Sequence, residues 1–253
     1  MPELSVRNHS HSSGKTLSQA ARCGISGADV NAPGSSPNEV SKSSPPGFTV
    51  PGAILRGALG FAVVSVAGFA VWAFAGMWFH QHFGEAGLYT ACAVVFLGLS
   101  GLVLSPLVRG PRSLVRFYKI FVPAFVVYAI AWCAVWFALR FGAGEWVASF
   151  AGSAGFVVTA GFGFRNFRGL LPACLVLFIL HSAGYFLGDN LMLWLAGPDG
   201  ARLLSGLSKP QISVTAKLGW GLLYGLGFGA GLGFTFFTFQ NEPPQKDITP
   251  QVV

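Results

Sequence analysis

The stretch LLPACLVLFILHSAGYFLGDNLM, residues 170–192, is apolar and continuous. It is long enough to cross a lipid bilayer, since a spanning helix needs about 20 mostly apolar residues. Its middle carries an ionisable side chain, His181, and Tyr185 and Asp189 follow at steps of four. Residues four apart lie on one face of a helix. The sequence therefore predicts a polar stripe along an otherwise apolar helix, and we expect the other spans to pack around it.

The composition of the whole chain is that of a membrane protein. Of its 253 residues, 53% are hydrophobic and only 10% are charged, against about 25% charged in an average soluble domain. The charged residues lie mainly in the terminal segments and in short gaps between apolar runs, which is typical of multi-pass membrane proteins. The net charge of +7 then reflects cytoplasmic loops rather than nucleic-acid binding. The expected partner is the lipid bilayer.

Six apolar runs predict an all-α polytopic transmembrane helix bundle. The predicted spans are approximately 53–79, 88–108, 120–139, 147–164, 170–192 and 218–239. The fourth is short and rich in Gly, Ala and Ser, so a tilted or re-entrant segment is an alternative there. Residues 1–48 are rich in Ser, Gly and Pro and predict a disordered tail, because they bury too little apolar surface to offset the entropy of ordering. Residues 240–253 predict a polar C-terminal tail.

The basic residues predict the orientation of the bundle. The segment before span one and the loops after spans two and four carry many of them: Lys42, Arg56, Arg109, Arg112, Arg116, Lys119, Arg165 and Arg168. The remaining loops carry fewer: Arg140, Arg202, Lys209 and Lys217. Because cytoplasmic loops collect Lys and Arg, we expect both termini in the cytoplasm and the protein in the cell (inner) membrane. If span four does not cross, the C-terminus lies outside.

The last span carries glycine at every fourth position, at Gly221, Gly225, Gly229 and Gly233. Small residues on one face let helix backbones approach closely within a bilayer. Glycine is otherwise a poor helix former, by roughly 1 kcal/mol relative to alanine, so the pattern indicates tight packing. The stripe packs inside the bundle, or alternatively against a second copy in a homo-oligomer. A backbone-lined pathway is a third interpretation.

His181 has two competing interpretations. An ionisable group at mid-span is costly and by default marks a functional site. With Tyr185 and Asp189 it would form a proton or solute path open to the outside. Alternatively, a neutral imidazole is hydrogen-bonded to a neighbour such as Ser182 or Thr159 and serves only to fix packing.

An enzymatic alternative uses Ser153 as a nucleophile and His181 as its base. The stretch AGSAG, residues 151–155, loosely resembles the Gly-x-Ser-Gly context of rhomboid-type intramembrane serine proteases. Ala151 and Ala154 stand where that motif has glycine, and the histidine lies one helix too early. The chain is therefore not assigned to that family, and a membrane-embedded serine hydrolase is kept only as an alternative hypothesis.

A second alternative is a metal site at HQHFGE, residues 80–85. His80, His82 and Glu85 are suitable ligands, although transition-metal sites need three or four of them in the right geometry. A solvated loop at the membrane surface explains the same residues. The four cysteines form no CxxC pair, so we expect no disulfide, no zinc site and no redox function. No cofactor is predicted.

The leading functional hypothesis is a non-enzymatic membrane protein. Polar groups within the spans are few, and a transporter of charged substrates usually buries more charge. The chain is therefore predicted to be either a structural or assembly component, or a carrier of a small, weakly polar solute. The serine hydrolase at Ser153 and His181, and the metal-handling protein at His80, His82 and Glu85, are the alternatives.

Overall fold

The computed structural model describes residues 49–140 and 142–241, which contain helices and no strand. The helices are α1 (Val50–Leu104), α2 (Ser113–Leu139), α3 (Ala143–Phe164), α4 (Leu170–Ala196), α5 (Pro198–Leu203) and α6 (Lys209–Gln240), with a 3₁₀ turn at Ser105–Leu107 after α1. Five of them are long and apolar enough to cross a membrane. The predicted fold class, an all-α transmembrane bundle, is confirmed. The predicted tail 1–48, and the predicted tail 240–253 beyond residue 241, lie outside the described residues.

α1 is a hairpin of two antiparallel arms. Its 55 residues are helical except at Gly84, where φ is 66° and ψ is −172°. Contacts between the arms pair residues in antiparallel order: Gly60 with Leu104, Gly68 with Phe96, and Gly76 with Leu88. The arms, 50–83 and 85–104, therefore account for the first two predicted spans. The gap predicted at 80–87 is reduced to a single non-helical residue, because one glycine suffices to reverse the chain.

Replacing Gly84 with alanine is expected to lower the free energy of unfolding by about 1–3 kcal/mol, because residues with a side chain rarely adopt this backbone conformation. The added methyl group would meet no atom within 4 Å, so backbone strain alone produces the effect. Gly98→Ala is the matched control, since it also meets no atom and lies in regular helix. It should be neutral or stabilising by up to about 1 kcal/mol. Thermal unfolding in detergent compares the two, and equal melting temperatures would contradict the strain at Gly84.

α6 lies between the first arm of α1 and α4 and presents glycine to both. Toward the arm, the contacts are Gly221 on Phe69, Gly225 on Ala62, Gly229 on Gly57 and Gly233 on Ala53. Toward α4, they are Gly219 on Leu191, Gly227 on Gly184 and Gly231 on Leu177. Backbone meets backbone at several of these points, which gives close dispersion contacts in a setting where lipid offers no hydrophobic drive for helix association.

Several boundaries differ from the sequence expectation. α2 begins at Ser113, seven residues before the predicted start at 120. α3 is an uninterrupted helix of 22 residues, which is long enough to cross the bilayer, instead of the re-entrant alternative. The loop predicted at 193–217 contains the end of α4, all of α5 and the start of α6. α6 begins nine residues early, at Lys209, because Ser208 and Gln211 form a capping box and Pro210 occupies the first turn. Hydropathy does not reveal this start, since the first turns are polar.

The chain reversals define two ends of the bundle. One end, here called the basic end, contains the start of α1, the connections 105–112 and 165–169, and Asn241. Gln240 joins these segments: its Nε2 donates to the Leu107 carbonyl at 2.8 Å, and its Oε1 accepts from the Arg109 amide at 2.7 Å. The opposite end, here the Gly84 end, holds Gly84 and the connections after α2 and α4.

Charge is divided unequally between these ends. The described residues at the basic end include seven basic side chains and no acidic one: Arg56, Arg109, Arg112, Arg116, Lys119, Arg165 and Arg168. The Gly84 end has four basic and four acidic side chains: Arg140, Arg202, Lys209, Lys217, Glu85, Glu145, Asp189 and Asp199. Counted over the described residues, the basic end therefore carries a formal charge of +7 and the Gly84 end is neutral.

Candidate functional site

His181 lies in the centre of the bundle and is fully buried. Its ring meets Tyr128, Tyr224 and Phe228 nearly edge-on, with centroid separations of 5.4, 5.6 and 5.6 Å. Such edge-to-face pairs are favourable arrangements for aromatic rings. The imidazole is therefore enclosed by aromatic side chains contributed by α2 and α6.

Glycines on the neighbouring helices position these rings. Gly184 of α4 and Gly227 of α6 bring the two backbones into contact. This contact sets Tyr224 and Phe228 beside the histidine. On the other side, Gly152 of α3 leaves room for the Tyr128 ring. The positions of the rings around His181 thus depend on three glycines, Gly152, Gly184 and Gly227.

A hydrogen-bonded chain runs from the histidine to two tyrosines. His181 Nε2 lies 2.9 Å from the Tyr128 hydroxyl, which lies 3.4 Å from the Tyr224 hydroxyl. In one arrangement Tyr128 donates to Nε2 and accepts from Tyr224. In the other, Nε2–H donates to Tyr128, which donates to Tyr224. Either arrangement leaves the buried Nδ1 without a partner in the described residues.

The partners expected for His181 were wrong. Thr159 donates to the Gly155 carbonyl at 2.8 Å, and Ser182 has no partner among the described residues. The actual partner, Tyr128, lies on α2. Its only sequence signal was that it is one of the few polar residues within a span, and nothing local indicates which helix face it occupies.

The predicted polar stripe becomes more exposed toward the Gly84 end. His181 is buried, whereas Tyr185 and Asp189 are both half-buried. The Tyr185 ring packs between Trp132 and Trp220, at centroid separations of 5.9 and 5.8 Å. The stripe thus runs from the centre of the bundle toward one of its ends.

Ser153 and His181 do not form a catalytic pair. Ser153 is fully buried, but its Oγ has no hydrogen-bond partner in the described residues, and His181 Nε2 is bonded to Tyr128. A serine nucleophile needs a base within hydrogen-bond reach. The geometry therefore does not support the hydrolase alternative.

The HQHFGE segment does not assemble a metal site. His82 stacks on Trp78 at a centroid separation of 4.8 Å, and its Nδ1 lies 2.8 Å from the Trp78 carbonyl. His80 and Glu85 line a groove of about 460 Å³ between α1 and α6. Across residues 49–140 and 142–241, no group of three His, Cys, Asp or Glu side chains could hold a metal ion. The metal-handling alternative therefore has no geometric support.

The helices and their apolar surfaces place the protein among α-helical, multi-pass integral membrane proteins. Comparison with known proteins adds no further identification: no family model, no curated protein and no solved structure matches the chain.

Proposed function

We propose that the protein is a non-enzymatic membrane carrier of a small, weakly polar solute, with His181 in its binding site. The observation that carries the proposal is the unpaired Nδ1 of this buried imidazole. A buried polar atom without a partner costs about 1–3 kcal/mol, which a hydrogen-bonding solute would recover. Small-molecule sites are mostly apolar with a few convergent polar groups, and the aromatic ring around His181 fits that description.

The surroundings of His181 favour an uncharged solute. Its ring contacts are tyrosines and a phenylalanine, none of which carries a charge that would balance an ion. A bare ion at mid-span would be expensive without such a partner. The absence of a hydrogen bond between Ser153 and His181 in the described residues also favours binding over hydrolysis.

A structural or assembly role is the second candidate, and the packing of α6 favours it. Glycine contacts on both sides of this helix make a tightly closed bundle. Under this alternative, His181 serves only to form the hydrogen bond with Tyr128, which fixes the packing of α4 against α2. A homo-oligomer through the predicted glycine stripe would require the first arm of α1 to separate from α6, because the arm packs on that face of α6.

For the orientation, we propose that the basic end faces the cytoplasm of the cell (inner) membrane. The support is the accumulation there, among the residues that the structure describes, of seven basic and no acidic side chains, as the positive-inside rule requires. Residues 49 and 241 both lie at this end, so both terminal segments would be cytoplasmic.

Diethyl pyrocarbonate tests the carrier proposal, because it is itself a small, weakly polar molecule and transfers an ethoxycarbonyl group to imidazole. We expect modification of His181 in the folded, full-length protein in detergent, detected by peptide mass spectrometry. The exposed His80 and His82 provide internal references for reagent activity. Protection of His181 until the protein is unfolded, with both references modified, would reject the carrier and leave the structural role.

A further inference from the structure

Unpaired polar side chains are a shared feature of the bundle core. Seven such buried atoms in the described residues have no hydrogen-bond partner: Oγ of Ser65, Ser149, Ser153 and Ser182, Nε1 of Trp132 and Trp220, and Nδ1 of His181. Buried polar atoms in folded proteins are nearly always bonded, and ordered water supplies the partner where protein does not. Their positions in the bundle are therefore informative.

The unpaired atoms on α2 and α3 lie level with His181 or closer to the Gly84 end. Ser153 is level with it, since the adjacent Gly152 packs on the ring of Tyr128, the partner of the imidazole. Trp132 and Ser149 each lie one helical turn farther toward the Gly84 end, because α2 and α3 run in opposite directions.

The unpaired atoms on α1, α4 and α6 also lie level with His181 or closer to the Gly84 end. Ser182 is the next residue after the histidine, on the side of the Gly84 end. Trp220 packs on Gly188, about two turns closer to that end, and Ser65 lies against Gly225 of α6. All seven atoms thus occupy one half of the bundle.

Two described hydroxyl groups in the other half are paired. Thr159 donates to the Gly155 carbonyl at 2.8 Å, and Thr235 donates to the Gly231 carbonyl, also at 2.8 Å. The four serines with unpaired Oγ atoms lie in similar helices but make no such bond.

Aromatic rings fill the core between His181 and the basic end. We name this group the phenylalanine plug: Phe117, Phe121, Phe156 and Phe236, all fully buried. Its members contact one another, with centroid separations of 4.9 Å for Phe117–Phe121 and 5.8 Å for Phe117–Phe236. The plug offers no hydrogen bond to water or to a polar solute.

We infer that the half of the bundle between His181 and the Gly84 end opens into a hydrated vestibule, and that the phenylalanine plug closes the other half. In the conformation described here the seven unpaired atoms have almost no exposed surface, so water enters only when this half opens. This inference rests on the proposed carrier function and deepens it. The solute enters from the Gly84 end and displaces vestibule water. It is small, uncharged and able both to donate and to accept hydrogen bonds, because the unpaired atoms include indole N–H donors and serine hydroxyls that do either.

Sided cysteine labelling tests the vestibule. Single cysteines at Ser153 and, separately, Ser182 are introduced into the full chain without its four native cysteines, reconstituted in vesicles. The charged, membrane-impermeant reagent MTSET is applied to each side in turn. Gln81→Cys marks the Gly84 end and Arg168→Cys marks the basic end, since both positions are exposed. Thr235→Cys is the matched control, as Thr235 is also fully buried but lies beside the plug.

The vestibule predicts labelling at positions 153 and 182 from the side that labels Gln81→Cys, about tenfold or more faster than at position 235, because thiol modification follows access. Labelling from the Arg168→Cys side alone would overturn the inference while leaving a carrier in place. Absence of labelling at both positions 153 and 182 would also overturn the vestibule. The modification of His181 by diethyl pyrocarbonate then tests the carrier function independently. The second cysteine position keeps the test decisive if the first variant does not fold.

Discussion

Gly229→Leu is expected to abolish the stable bundle, with a loss of more than about 3 kcal/mol in the free energy of unfolding, above the usual range for overpacking. Even a methyl group at residue 229 would overlap the carbonyl oxygen of Gly57, and one at residue 57 would overlap the carbonyl oxygen of Gly229. Both obstacles are backbone atoms, so no side-chain rotation relieves them. The first arm of α1 must separate from α6 along its length.

Gly98→Leu is the matched control, because a side chain begins in open space at that exposed helical position. It should retain wild-type yield of monodisperse protein on size-exclusion chromatography in detergent, whereas Gly229→Leu should be lost to aggregates. A Gly229→Leu protein with normal yield and melting temperature would show that α1 and α6 are not packed as described.

Tyr128→Phe is expected to destabilise the protein by about 1–3 kcal/mol, because it leaves the buried imidazole of His181 with no partner on either nitrogen. Tyr118→Phe provides the control. The Tyr118 hydroxyl donates to the Gly98 carbonyl in an exposed setting, so its removal should cost about 0.5–1.5 kcal/mol at most. Equilibrium unfolding of both variants measures the difference.

A double substitution separates the hydrogen bond from general packing. Replacing both members of a buried polar pair with apolar groups can be nearly neutral, so adding His181→Leu to Tyr128→Phe should recover most of the lost stability. The coupling energy from this cycle is expected to exceed about 0.5 kcal/mol. Additive effects of the two substitutions would mean that the Tyr128–His181 bond contributes nothing.

The membrane class and the approximate positions of the crossings follow from the sequence alone. Hydropathy is a local property, so a run such as 170–192 identifies its own span without knowledge of its neighbours. The hairpin tip was harder to place, because the helix continues through the polar residues after Phe79 until Gly84 reverses it. The early start of α6 was missed for a similar reason, since its first turns are capped but not apolar.

The composition of the site was only partly predictable. His181 stands out in the sequence because an ionisable group within an apolar span is rare. Its partner does not stand out, since the pairing of Tyr128 with His181 joins residues 53 positions apart. The same holds for Ser153, whose depth near the histidine could be estimated from span order, while its lack of a bond to the imidazole could not.

The sequence by itself determined that this protein is a membrane-embedded helical bundle with a polar group at its centre, because lipid imposes length and hydropathy on each helix separately. Only the tertiary structure decided which faces meet. It placed one glycine row of α6 against α1 and a second against α4, and it gathered the unpaired polar atoms into one half of the core. Those outcomes depend on the rotation and crossing of helices relative to one another, which no single stretch of sequence contains.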